Sequence, residues 1–531
     1  MGITGDWDQR ITRRTLLKTG GSFAASITVI GAVGTRAFAT PPFAGDPFSL
    51  GVASGDPTPH GVVLWTRLAP EPLLPGGGMK NEVYGVRYEL AQDADFHRII
   101  RRGAVEALPD EAHSVRVELD DLEPAHEYFY RFKFGTEVSP HGSTRTAPAR
   151  DSRLENLVFA FVSCQNFPDG YFTPYQEVAT SSDIQAVIHL GDYVYEGPSQ
   201  TFRKHEPLRE IFSLDDYRVR HGQYKTDVHL QAAHAAHPWL VTWDDHEFKN
   251  NYADLDIDPD VPIEEAAARR AAAYRAYWEH MPLRRARKPD GPNFQLFRRF
   301  HWGDLVTFNV LDGRQYRSDQ VQPVCTVPQR TASGYCPGVL EPGRTMLGAE
   351  QRDWLLEELA TTAARWNVLA QQTAFSPFDA DANVERRGFG QGDNWDGYVA
   401  ERQTLLDWMV EKHTPNPVVI TGDSHNNWVR NVPPDISNFD APPVATEFMG
   451  TSISTGGDPA TPSATFGGDP QNPHLLFRNN NRGYVRCTLT PSTWTSEFRK
   501  VDTVRSPDAP SSSLATFVVE NGRAGAQRAG V

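Results

Sequence analysis

Six apolar runs, each ending in a cluster of ligand-type side chains, constrain this chain more than any other feature. Runs 157–162, 186–190, 239–243, 306–311, 368–370 and 418–420 have the length and apolar content of buried strands. The first ends at Ser163-Cys164-Gln165-Asn166 and the second at Gly191-Asp192-Tyr193-Val194-Tyr195-Glu196. The third ends at Asp244-Asp245-His246-Glu247 and the fourth at Asp312-Gly313-Arg314. The fifth runs into Gln371-Gln372-Thr373 and the sixth into Gly422-Asp423-Ser424-His425-Asn426. Helical periodicity over 263–280, 349–364 and 399–412 alternates with the runs, which predicts an α/β layered fold. In such folds, sites form at the carboxyl ends of strands, where loops converge. One polar strand end is a turn; several in register predict a site.

The residue types narrow the chemistry. Cys, Tyr and His around a shared carboxylate suit a transition metal. Aspartates and amide oxygens suit a hard cation such as calcium or magnesium. Both sets occur together, so a dinuclear or mixed centre is expected, able to clamp a phosphoryl group and acidify a water. The balance of charge points the same way. With 52 Lys+Arg against 67 Asp+Glu, the chain carries −15 and makes a poor nonspecific nucleic-acid binder. Phosphate chemistry on it needs local positive charge, which a metal supplies.

Around this core the chain divides into four expected parts. Residues 1–39 read as a twin-arginine signal peptide. Thr12-Arg13-Arg14-Thr15-Leu16-Leu17-Lys18 is followed by an uncharged run and by Ala37-Phe38-Ala39, a small-x-small cleavage site. Its removal leaves a mature chain near −18. No later segment is apolar enough for a membrane span. Residues 40–150 read as a small β-sandwich of the fibronectin or immunoglobulin kind, with Tyr128 bracing a corner after Leu122-Glu123-Pro124. A Pro/Ala/Arg-rich linker follows at 144–154, and residues 151–505 hold the site. Within them, 433–482 reads as a long loop region. The tail 506–531 is expected to be disordered.

Gly191-Asp192-x-x-Tyr195, Asp245-His246-Glu247 and Gly422-Asp423-x-His425 resemble the calcineurin-like metallophosphoesterase pattern. The fuller set is similar to the PhoD family of secreted alkaline phosphatases and phosphodiesterases. It comprises Ser163-Cys164-Gln165, residues 190–196, Trp243 to Glu247, residues 311–317, residues 422–426, and the N-terminal Ser54-Gly55-Asp56-Pro57 with Val63-Leu64-Trp65-Thr66-Arg67. The resemblance spans nearly the whole chain. It implies a metallophosphoesterase-type β-sandwich flanked by helices, and a centre of Fe³⁺ with one or two Ca²⁺. Carried over by motif, Cys164, Asp192, Tyr195 and His425 hold iron, with Asp192 bridging to calcium. Asp245 and Asp423 hold calcium, and Asn250 or Asn251 adds an amide oxygen; the role of Asp244 is open. Compared with purple-acid-type relatives, Cys164 replaces an Asp and Asp423 a His.

The implied mechanism is in-line attack on phosphorus by a metal-bound hydroxide. His246 is expected to donate to the leaving oxygen or to a phosphate oxygen, and Glu247 to orient it. Arg314 and Arg317 are candidate phosphate clamps, with ion pairing as the alternative. The expected function is an exported alkaline phosphatase D acting on phosphomonoesters and also diesters. A phosphodiesterase or phospholipase D-like hydrolase on the same scaffold is the alternative, and a calcium-stabilised extracellular binding protein the non-enzyme reading. The expected partners are a phosphate-ester small molecule or a cell-envelope or lipid phosphodiester, and the twin-arginine translocase during export to the periplasm, envelope or medium.

Other features read as structural. His189 is expected in the core, and His234 with His237 as a helix-face coincidence rather than a zinc pair. The acidic run Asp254, Asp256, Asp258, Asp260 lacks the Gly and Glu of a calcium loop. Cys325 and Cys336 are expected to pair, and Cys487 to be a buried thiol.

Overall fold

The computed structural model describes residues 45–323, 325–381, 387–390, 392–435 and 438–529. The expected signal segment lies outside them. Among the described residues, no helix is long and apolar enough to cross a membrane.

Two large sheets face each other. One has ten strands, in the order Arg523–Arg528, Ser511–Glu520, Thr493–Val501, Gly483–Leu489, Leu157–Val162, Ala186–His189, Pro238–Val241, Val52–Thr58, Gly61–Arg67, Ser114–Leu119. The other has eight: Arg298–Trp302, Val306–Val310, Trp366–Ala370, Pro417–Thr421, Ala445–Met449, Asn427–Val432, Leu475–Asn479, Ala464–Phe466. Strand alternation builds the layers. Leu157, Phe159 and Phe161 point at Phe308, Val310, Val368 and Ile420 of the facing sheet. Val158, Ala160 and Val162 point outward, under the helices Leu214–Tyr224 and Ile263–His280. On the other side Leu369 and Val419 point outward, under Gly348–Thr361 and Val399–Glu411. The strands 157–162, 186–189, 238–241, 306–310, 366–370 and 417–421 are each buried on both faces, which is why their runs are continuously apolar. Each such Val, Leu, Ile or Phe contributes roughly 1.5–3 kcal/mol by leaving water.

The fold is therefore the expected α/β arrangement with large sheets flanked by helices. The six strand ends come three from each sheet. The strands 157–162, 186–189 and 238–241 are parallel neighbours, as are 306–310, 366–370 and 417–421.

Two expectations need correction, and a third is met in part. The N-terminal region is all-β, and Glu123 N–H donates to Tyr128 Oη at 3.0 Å as the corner predicts. However, three of its strands complete the ten-stranded sheet, with Val52–Thr58 running parallel beside Pro238–Val241. Its remaining strands form a smaller five-stranded sheet. Residues 48–134 nevertheless share a hydrophobic core of their own, in which Val62, Leu64, Val115 and Val117 pack with Tyr84, Val86, Tyr130 and Phe132. Stretch 433–482 carries three strands, 445–449, 464–466 and 475–479. The tail forms strands Ser511–Glu520 and Arg523–Arg528, because Ala515, Phe517 and Val519 alternate onto the inter-sheet core.

Candidate metal centre

The strand ends meet where the backbone leaves regular geometry. Fourteen described non-glycine residues have positive φ, and five of them are expected ligands: Cys164, Asp192, Asn251, Asp423 and His425. Left-handed backbone is costly for such residues, and strain of this kind gathers at functional sites. Gly191 shows how closely the ends approach. A Cβ there would overlap the backbone of Trp243 and Asp244. The fifth strand end supplies a strap rather than a ligand. Gln372 Nε2 donates to Trp243 O at 2.8 Å and Leu311 O at 2.9 Å, so it ties the ends of both sheets together.

Side chains converge from this frame. Three groups of donors lie within 4.8 Å of one another: Cys164, Asp192 and His425; Asp192, Asp245 and His246; and Asp244, Asp245 and Asp423. Asp192 and Asp245 are each shared between groups, so the three form one continuous centre. Tyr195 joins it. Its hydroxyl donates to Asp192 Oδ2 at 2.7 Å, lies 3.4 Å from His425 Nε2, and accepts from Thr455 Oγ1 at 2.8 Å. Asn250 and Asn251 sit at the exposed rim. Their backbone amides donate to Glu196 Oε1 at 2.9 Å and Asp245 Oδ2 at 2.7 Å.

Buried charge here is unbalanced. Asp192, Asp244, Asp245, Asp393, Asp423, Glu196 and Glu247 surround the guanidinium groups of Arg314 and Arg317 and the ring of His246. Burial, then Asp393, pushes Asp423 up to about 8. Burial opposes ionisation of Asp245, yet Arg314 and His246 outweigh it and hold that carboxyl below the usual range. Burial and Asp192 push the Cys164 thiol well up. Asp192 Oδ1, Asp244 Oδ2 and Asp245 Oδ1 are buried with no hydrogen-bond partner among the described residues. Orphaned carboxylate oxygens and a thiol beside a carboxylate are what bound cations would satisfy. The donor set, sulfur and phenol on one side and carboxylates on the other, fits a mixed centre.

Two expected roles change. His246 Nδ1 lies 2.7 Å from Glu196 Oε2, so Glu196 rather than Glu247 orients the ring. Glu247 faces the other way and accepts the amides of Asp192 at 3.1 Å and Asp244 at 2.8 Å. Burial disfavours the charged ring, but Glu196 and Asp245 prevail and raise the His246 pKa well above its ordinary value. The clamp arginines are spent inside the protein. Arg314 is fully buried, its three nitrogens facing Asp244, Asp393 and Asp423, with Asp245 at 3.6 Å. Arg317 donates to Tyr252 O, Asn251 O and Asp393. Neither guanidinium is left to face a phosphate.

Sequence reasoning missed Glu196 as the partner of His246, and it missed Asp393, Thr455 and Arg482. Arg482 donates through Nη1 to His425 O at 2.7 Å and through Nε to Gly457 O at 2.7 Å, fixing the His425 loop. Only Glu196 carried a signal, in its place four residues after Asp192. The structural readings fare well. His189 is buried, accepts from Gly191 N–H at 3.1 Å and is held neutral, its pKa lowered by burial to about 3. His234 bonds Tyr193 Oη and His237 bonds Val178 O, so they form no metal pair. Cys325 and Cys336 form a disulfide, and Cys487 is a buried thiol.

Comparison with known proteins follows the same outline. Residues 159–498 match the PhoD-like phosphatase model, and residues 34–148 the model of the PhoD-like phosphatase N-terminal domain. The chain is 44% identical over 527 residues to alkaline phosphatase D of Bacillus subtilis (strain 168), covering 97% of this chain and 89% of that protein. A solved structure described as "Structure of PhoD" superposes with a TM-score of 0.85 at 43% identity, covering 92% of this chain and 93% of the other.

Proposed function

The chain belongs to the PhoD-like phosphatase family, and from that premise we propose an exported, metal-dependent phosphoric ester hydrolase of the alkaline phosphatase D type. Its substrates would be phosphomonoesters and, on the same centre, diesters. One observation carries the reading: three overlapping donor groups share Asp192 and Asp245 and leave carboxylate oxygens unpartnered.

In this reading Cys164, Asp192, Tyr195 and His425 would hold Fe³⁺. Asp192, Asp245, Asp423 and an amide of Asn250 or Asn251 would hold Ca²⁺. When bound, these cations stabilise charge on the phosphoryl oxygens and lower the pKa of water. The chain's own residues do the rest. Glu196 holds His246 charged and in one orientation, with Nε2 left to hand a proton to the leaving oxygen. Glu247 fixes the amides of Asp192 and Asp244. Arg314 keeps four carboxylates together, and Arg317 anchors Asp393 beneath them. A calcium-stabilised binding protein would need neither the thiol nor the His246–Glu196 pair.

The test is the metal content and visible absorption of the signal-free protein. Iron with calcium, and a charge-transfer band that shifts or vanishes in Tyr195→Phe and Cys164→Ser, is the expected result. Calcium or zinc without iron, and no band, overturns the ligand assignment.

A further inference from the structure

A second concentration of charge lies outside the centre and has the opposite sign. A pocket of about 380 Å³ is lined by five arginines, Arg150, Arg284, Arg287, Arg298 and Arg299, against one lining carboxylate, Asp56. That is an unusual surface for a chain of net charge −15. The pocket shares no residue with the centre. Along the outer strand of the eight-stranded sheet, Arg298 pairs with Val310 and His301 with Thr307. The pocket therefore runs back along the strand, away from the end that carries Arg314.

The protein's own acids neutralise it only in part. Asp56 is taken by Arg298, whose Nε donates to Oδ1 at 3.0 Å. Arg298 is only 6% exposed, and its Nη2, though 2.9 Å from the same oxygen, is buried without a hydrogen-bond acceptor. Glu358 is shared between Arg299 at 3.2 Å and Arg150 at 3.7 Å. Arg284 reaches Glu118 and Asp120 no closer than 3.8 and 3.6 Å. Arg287 has no carboxylate partner among the described residues and donates only to Gln295 O at 3.3 Å. Burial and the Arg298 charge both work against its guanidinium. Arg299 is spent on Asn309 Oδ1, Trp354 O and Glu358, and Arg284 Nη2 on Asp56 O and Thr58 Oγ1, which leaves Arg150, Arg287 and the Nη2 of Arg298 with hydrogens to offer the oxygens of a phosphate group. The volume lies in the range of small-ligand sites.

We propose that this pocket is a second oxyanion site, which binds a small phosphate compound apart from the catalytic centre. The probe is methylenediphosphonate, which resists hydrolysis, titrated calorimetrically into the metal-loaded enzyme at low salt. Two binding events per chain are expected. In the Arg150→Ser/Arg287→Ser variant the second event weakens by about tenfold or more. Hydrolysis of a small chromogenic phosphate ester stays unchanged. A single event in the parent enzyme, or two unaltered events in the variant, overturns the proposal. Two sources offer this chemistry, and kinetics separate them. A KM for a bisphosphorylated substrate that rises in the variant marks a second phosphate of the bound substrate. An unchanged KM marks a free anion; either result sustains the site, given the two events.

Discussion

Two sets of histidines in this molecule differ in nothing but surroundings. At the rim, His246 sits against Glu196 and Asp245, and carboxylates hold its ring charged. Between the helices and the sheet, His189, His221, His234 and His280 pack among Trp65, Tyr193 and Trp239, with Lys225 close by. There burial comes first and the Lys225 charge adds to it, so all four are held neutral. His221 stacks on His280 at 5.0 Å, and neither of its ring nitrogens has a hydrogen-bond partner among the described residues. The difference teaches that a histidine count says little about chemistry. A carboxylate within hydrogen-bond reach keeps a ring charged; an aromatic box keeps it neutral.

The comparison breaks most readily at the rim. His246→Ala should lower kcat by about 10²–10⁴-fold while bound iron and melting temperature hold. Loss of metal or of fold with the activity would make His246 structural, like the inner set.

The inner set should govern acid stability. Its folded pKa values lie below the ordinary 6.5, so below that pH the unfolded chain takes up protons the folded one refuses. The histidines' contribution to stability is then full above pH 6.5 and falls as pH drops toward about 3, the value reached by His189. The slope is up to ~1.4 kcal/mol per pH unit for each histidine that titrates independently. Lys225, lowered by burial to about 7 from 10.5, extends the gain in stability above neutrality. Urea midpoints measured from pH 5 to 10 check the sign. A flat profile below pH 6.5 would show that the inner rings already exchange with solvent.

The smallest effect sharpens the contrast. His221→Phe removes two unsatisfied nitrogens and keeps the stacked ring, so stability should change by no more than about 0.5 kcal/mol. Activity should not move, and the acid slope should flatten. A large loss in the melting curve would mean that a polar network runs through His221.

The sequence made the centre legible because its candidate ligands are local to strand ends. Cys164, Asp192, Asp245, Asp423 and His425 each follow an apolar run, and the run itself announces the end. Partnerships across the chain left no such mark. His246 has a glutamate beside it in sequence at 247, yet the one it bonds is fifty residues back, because the backbone turns Glu247 toward the amides of 192 and 244. The arginines were visible but not their fate; only the fold brings Asp393 between Arg314 and Arg317. The N-terminal strands looked self-contained for the same reason. The alternation of Val62 and Leu64 fits a small sandwich and a ten-stranded sheet equally well, and the pairing of Ser54 with Pro238 is non-local. In the tail, Pro and Ser at 506–513 masked the alternation of 515, 517 and 519.

The order of strands in the larger sheet also sets a clock. Leu157–Val162, which leads into Cys164, has Ala186–His189 on one side and Gly483–Leu489 on the other. Its second neighbour is synthesised more than three hundred residues after it. Until residue 489 has left the ribosome, the strand bearing the thiol keeps an open edge. The cradle that Cys164 belongs to is therefore complete only when nearly the whole chain has been made.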